Sequence, residues 1–245
     1  MLNLAFQYYK IRLQRHIAMN LIIEPKRVLG LLLAFILLLQ IANIAGLVFY
    51  FDNNNIGWLY NLFNITTEGN VPAYYSSITL LITAFLLGFI SYFRKIHGLN
   101  YSLWLVLSLI FMYMSIDESV QIHERVGVLF SNNFDLSGYF AYGWVVPYGF
   151  LLIVFSAVYF LRFLPQLPKK IAYLFIISGI IFVIGAVGVE MLAAKNYDSE
   201  NFSETLHAIC YSIEEFLEML GIAIFIYSLL LYIKEEIVIT LKEAT

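Results

Sequence analysis

Charge is what this chain has least of. Of 245 residues only 13% are Asp, Glu, Lys or Arg, about half the share of an ordinary soluble domain. Hydrophobic residues make up 61%. That balance excludes a soluble fold, because so short a chain has no interior large enough for so much apolar surface, and the bilayer must serve as its solvent. Basic patches are missing too, which excludes nucleic acid as a partner. Cys210 is the sole cysteine, so no internal disulfide can form, and it is expected to pack in the core. There is no Gly-rich phosphate loop and no Gly-x-Ser-x-Gly elbow.

What the chain does have is long apolar runs. A membrane span needs about 20 such residues. Six stretches meet or approach this: Val28–Phe51, Ala73–Phe93, Tyr101–Ile116, Val145–Phe163, Ile171–Val189 and a last one ending near Ile233. The expected fold is therefore all-α, a polytopic bundle of about six transmembrane helices over residues 28–233. Residues 1–27 carry Lys10, Arg12, Arg15, Lys26 and Arg27 ahead of the first run. They read as an amphipathic segment on the inner membrane surface rather than as a cleavable signal. Residues 234–245 read as a short tail.

The cations orient the bundle. In a six-span arrangement 12 of the 14 Lys and Arg fall on one side, leaving only Arg125 and Lys195 on the other. Positive loops stay in the cytoplasm, so both termini are expected there, in a multi-pass protein of the cell membrane. The opposite loops hold Asp, Glu, Asn and Tyr, the sequons at Asn64 and Asn201, and a run of aromatics (Tyr139, Phe140, Tyr142, Trp144 and Tyr148) that reads as an interfacial belt.

Ionisable groups inside spans are costly and mark candidate sites. Here they gather at three places far apart in sequence. Span three ends in Asp117 and Glu118, followed by Gln121, His123, Glu124 and Arg125. Span five ends at Glu190. Span six opens with His207 and continues through Tyr211, Glu214, Glu215 and Glu218. Residue counting places all the carboxylates in one layer at the extracytoplasmic end. On straight helices the two histidines would stand roughly 8–10 Å further out. His207, Tyr211, Glu214 and Glu218 share one helical face, as do Asp117, Gln121 and Glu124. His123 lies about 120° round from Asp117 and joins them only if the helix kinks.

Two imidazoles and several carboxylates with one arginine nearby suit a divalent metal: zinc, or a carboxylate-bridged pair of iron or manganese ions. The expected ligands are Asp117, Glu118, His123, Glu190, His207, Glu214 and Glu218, with Gln121, Glu124, Arg125, Tyr211 and Glu215 beside them. At headgroup depth the substrate of such a metalloenzyme would be a lipid or a lipid-linked molecule, attacked by metal-bound water or handled by redox chemistry. Soluble di-iron bundles carry two Glu-x-x-His pairs, whereas here only Glu204 and His207 have that spacing. The His-x-x-x-His spacing of multi-span zinc hydrolases of the alkaline ceramidase type and the many histidines of membrane desaturases are absent. Two other readings stand beside the metal: a proton or cation path, and a non-catalytic subunit of a larger membrane complex. A path meets the difficulty that the inner halves of the spans carry no matching acids. Gly179, Gly185 and Gly188 are expected to permit close helix packing.

Overall fold

The computed structural model describes residues 24–53, 57–65, 67 and 69–237. Most of the expected amphipathic segment 1–27 and of the tail 234–245 lies outside the described residues. The rest is helical. Helix α1 spans Pro25–Asn53 and starts on a proline, which lacks only an N–H that the first turn leaves unpaired. After the short α2 (Gly57–Phe63), α3 (Val71–Ile96) begins at Asn70, whose side chain accepts from the Ala73 N–H at 2.8 Å. Next come α4 (Ser102–Val120) and α5 (Ile122–Phe134). Helix α6 (Val145–Val158) runs on through a π turn, Tyr159–Phe163, and stops at Pro165 and Pro168. Helix α7 (Lys169–Val183) passes through a π segment, Ile184–Val189, into α8 (Glu190–Tyr197). The last helix, α9 (Glu204–Tyr232), is capped by Ser203 and ends in a π turn, Ile233–Ile237.

Six of these helical stretches are long and apolar enough to cross a membrane: Pro25–Val48, Val71–Ile96, Ser102–Val120, Val145–Gln166, Lys169–Tyr197 and Glu204–Ile237. They agree with the sequence expectation to within a few residues, except that the fifth extends two turns past Val189. The chain is an all-α integral membrane protein. Large apolar side chains face outward along the spans, among them Phe35, Phe150, Ile153 and Leu161. Such faces are stable against lipid and not against water.

Span six is the hub: 61% of its most apolar 18-residue stretch is buried, against 56% for span two and only 6% for span four. The hub packs against α1, α3 and α7. At the end bearing most of the cations the core is solidly aromatic and aliphatic. Trp104 meets Phe163 and Tyr232 at ring-centroid distances of 4.9 Å each, and Phe175 meets Phe225 at 4.6 Å. Leu87, Ile90, Leu107, Ile171 and Leu229 fill in around them. Arg94 closes this end by donating to the Tyr232 hydroxyl at 2.8 Å and to the Asn100 carbonyl at 2.7 Å. Lys170 pairs with Glu235 at 2.9 Å.

The glycines do not behave alike. A Cβ on Gly185 would lie 2.9 Å from the Glu214 carbonyl oxygen, so the π segment that continues α7 approaches the backbone of α9 there. Gly221 does the same from the other helix, 2.9 Å from the Ser178 carbonyl oxygen. Gly179 has nothing within 4 Å, and Gly188 meets only its own helix at 4.0 Å. The expectation of close packing therefore holds for Gly185 and fails for Gly179 and Gly188, where a Cβ would meet no other helix among the described residues. Of the two sequons in the opposite loops, Asn201 is exposed and Asn64 is buried. Cys210 is buried, as expected.

Candidate functional site

Helix α4 ends because Gln121 adopts the left-handed conformation (φ 58, ψ 46), with its N–H returning to the Asp117 carbonyl at 2.7 Å. A side-chain-bearing residue takes that conformation at a cost of about 1 kcal/mol or more, so the surroundings must hold it. The hold is visible in Asp117. Its Oδ1 accepts the His123 backbone N–H and its Oδ2 faces His123 Nδ1, both at 2.9 Å. The break turns His123 back onto Asp117. This corrects the expectation of a histidine layer roughly 8–10 Å beyond the carboxylates, which assumed straight helices. Glu124 and Arg125 are carried outward by the same turn and are exposed. Among the described residues Arg125 makes no ion pair.

Beyond α5 the chain folds back on itself. Ser131 Oγ donates to the Ala141 carbonyl at 2.9 Å and accepts from the Gly143 N–H at 3.1 Å. A Cβ on Gly143 would sit 2.6 Å from the Gly127 carbonyl oxygen, so only glycine fits this crossing. The close approach delivers Trp144 inward. Its indole Nε1 donates to Glu190 Oε1 at 2.8 Å, and its ring meets His123 edge-on at 5.4 Å. Trp144 is thus not simply a member of an interfacial belt. Neither are Tyr148, whose hydroxyl bonds that of Tyr113, and Tyr142, whose hydroxyl accepts from Tyr211 at 3.5 Å.

Glu190 sits where the π segment of span five ends, and it is 8% exposed. Single π turns recur at functional sites because the extra residue re-aims the side chains that follow. Across the Gly185 contact lies Glu214, 7% exposed, whose Oε2 has no hydrogen-bond partner among the described residues. Glu214 stands within Coulombic range of Glu190, Glu215 and Glu218, and Glu218 within range of Glu118 and Glu190. Like charges brought together away from water repel strongly unless protons or cations intervene. Tyr142 lies in the loop above them. Burial chiefly raises the pKa of its phenol, the hydrogen bond from Tyr211 lowers it, and the charges of Glu190 and Glu214 raise it further.

His207 stands in a ring of aromatics: Tyr211 at 4.7 Å, Phe202 at 5.5 Å and Tyr197 at 6.4 Å. Its Nδ1 is buried without a hydrogen-bond partner among the described residues. Spans one and two also contribute, which sequence reading missed. Asn43 Nδ2 donates to Ser212 Oγ at 2.9 Å and Gln40 Nε2 to the Ser212 carbonyl at 3.2 Å. Ser77 bonds the Ser115 carbonyl and the Ser119 hydroxyl, each at 2.8 Å. The signal was available in part: Gln40 and Asn43 are polar residues at i, i+3 within an otherwise apolar run, hence on one face.

The seven expected ligands are distributed as follows. Glu214 comes within electrostatic reach of Glu190, Glu215 and Glu218, and Glu218 of Glu118 and Glu190. Asp117 has both oxygens engaged by His123. His207 stands among its aromatics. Among the described residues no three His, Cys, Asp or Glu side chains converge as a bound metal ion would require. Comparison of the chain with curated proteins gives no match, and neither does comparison with solved structures. A family model does match, over residues 28–233, and the chain belongs to that family, described as a domain of unknown function, DUF8692.

Proposed function

We propose that this integral membrane protein binds a divalent cation among Glu118, Glu190, Glu214 and Glu218, at the extracytoplasmic end of spans three, five and six. The observation that carries the reading is Glu214: a carboxylate 7% exposed, one oxygen without a hydrogen-bond partner among the described residues, within Coulombic range of other carboxylates. A divalent ion relieves both the repulsion and the missing contact. The side chains do not converge on a single point, which is the arrangement mutual repulsion favours before an ion draws them in. Binding would draw the side chains together and displace any protons the carboxylates share. Zinc, iron and manganese fit a carboxylate set with imidazole at hand.

Orientation rests on the cation asymmetry of the loops, which assigns the Arg94 and Lys170 end to the cytoplasm and the carboxylates to the far side of the cell membrane. At that depth the substrate class within reach is a lipid headgroup or a lipid-linked molecule. A metal-bound water would supply the nucleophile and a spare carboxylate the base. The apolar core between the carboxylates and the cytoplasmic end counts against a proton or cation path through the bundle. A non-catalytic role in a larger complex would leave the carboxylates without a chemical task.

The test is elemental analysis of detergent-purified protein, prepared without chelators, for wild type beside a Glu190→Gln/Glu214→Gln double variant. The expected result is stoichiometric zinc, iron or manganese in the wild type, lost in the variant while membrane insertion is unchanged. Wild type devoid of metal, even after incubation with each ion, would sink the proposal and leave shared protons as the account of the carboxylates.

A further inference from the structure

Asp117 was expected to be a ligand, and Trp144 was not expected at the site at all. Their contacts give both a different task. Asp117 clasps His123 with both oxygens at 2.9 Å, one on the backbone N–H and one on the ring Nδ1. A carboxylate on Nδ1 keeps the proton there, which makes Nε2 the nitrogen that carries the lone pair. Metal-binding histidines are held in this way, the second ring nitrogen bonded to a carboxylate that fixes tautomer and ring direction. The far side of the clasp is Trp144, whose ring meets the His123 ring at 5.4 Å while its indole N–H holds Glu190 Oε1 at 2.8 Å. One tryptophan thus touches the imidazole and the carboxylate together. It is brought there by the Gly127–Gly143 crossing, which admits no side chain at Gly143. The left-handed Gln121 completes the device, since without that break His123 would continue outward on α4.

We infer that Asp117 and Trp144 are positioning residues that aim His123 Nε2 and Glu190 at one cation, making the site a mixed nitrogen and oxygen site that prefers zinc or iron over magnesium or calcium. The inference rests on the cation reading above and specifies its ligands and its metal class. Purely carboxylate sites suit magnesium and calcium; one imidazole shifts the preference toward the transition metals. The buried Glu214 oxygen that has no hydrogen-bond partner among the described residues, in a side chain within Coulombic range of Glu190, is the independent sign that this group of carboxylates takes a ligand. Asp117 and Trp144 would contribute by orientation alone, and residues acting that way on a ligand typically change affinity by about 10–100-fold when removed.

The experiment is calorimetric titration of the full-length protein in detergent with zinc and, separately, with magnesium. Wild type is compared with His123→Ala, Asp117→Asn and Trp144→Phe, and each variant is first checked for a monodisperse, thermally stable preparation. Zinc affinity is expected to fall about 10–100-fold in His123→Ala and Asp117→Asn while magnesium affinity stays unchanged. In Trp144→Phe both affinities are expected to fall together, because Glu190 serves either ion. A merely structural role would weaken both metals alike in all three variants, and that result overturns the inference. Zinc bound as tightly by His123→Ala as by wild type overturns it as well. A wild type that binds neither ion overturns the cation reading itself, which separates that failure from this one. Where Asp117→Asn does not yield stable protein, Asp117→Glu serves, with the same expectation for zinc against magnesium.

Discussion

Replacing Gly185 by alanine tests how the site is walled. The new methyl would stand 2.9 Å from the Glu214 carbonyl oxygen, 3.0 Å from Leu217 Cβ and 3.3 Å from Glu218 Cγ. The first two of these neighbours are rigid, being helix backbone and a side-chain root, so α7 and α9 must separate by several tenths of an ångström. Overpacking of this kind costs about 1–3 kcal/mol. Alanine recovers up to about 1 kcal/mol through its better helix propensity. With two contacts at or near 3.0 Å the upper half of the range applies, leaving a net loss of about 1–2 kcal/mol. Gly179→Ala is the matched control: the same helix and the same chemical change, but nothing within 4 Å. It is expected to be neutral or stabilising by up to about 1 kcal/mol. Reversible unfolding in mixed micelles with increasing SDS would measure both variants. Equal stabilities for Gly185→Ala and Gly179→Ala would refute the claim that the backbone contact at Gly185 sets the helix separation beside Glu214.

Two further changes probe the ends of the bundle. Asn43 is fully buried, donates to Ser212 Oγ at 2.9 Å and accepts the Ile65 N–H at 3.3 Å. Asn43→Ala should cost about 1–3 kcal/mol by leaving those groups unpaired, and a double-mutant cycle with Ser212→Ala should show coupling; strict additivity would rule out the bond. At the opposite end Tyr232→Phe removes the acceptor of the Arg94 guanidinium at 2.8 Å. A loss of about 1–2 kcal/mol is expected, below the full value of a charged hydrogen bond because Arg94 is only half-buried. It should be measurable as a lower midpoint in the same SDS titration, with Tyr227→Phe as a comparison.

Sequence alone was enough for the helices, and it raised the expectation that carboxylates gather at one end. Both follow from one-dimensional facts: a span is about 20 apolar residues long, and a charge near a span boundary has its depth set by counting. Glu118, Glu190, Glu214 and Glu218 were brought to a common level by that arithmetic. Tertiary structure decided what counting along straight helices could not. The left-handed turn at Gln121 folds His123 back onto Asp117, and a single residue in that region redirects everything after it. The crossing at Gly127 and Gly143 turns Trp144 from the interface onto Glu190. Among three glycines that looked alike in the sequence, only Gly185 meets another helix's backbone, because which face of α7 turns toward α9 is settled by how the whole bundle packs. Periodicity encodes depth and face within one helix; the rotation and approach of one helix against another depend on contacts between residues far apart in the chain, and those exist only once the bundle has formed.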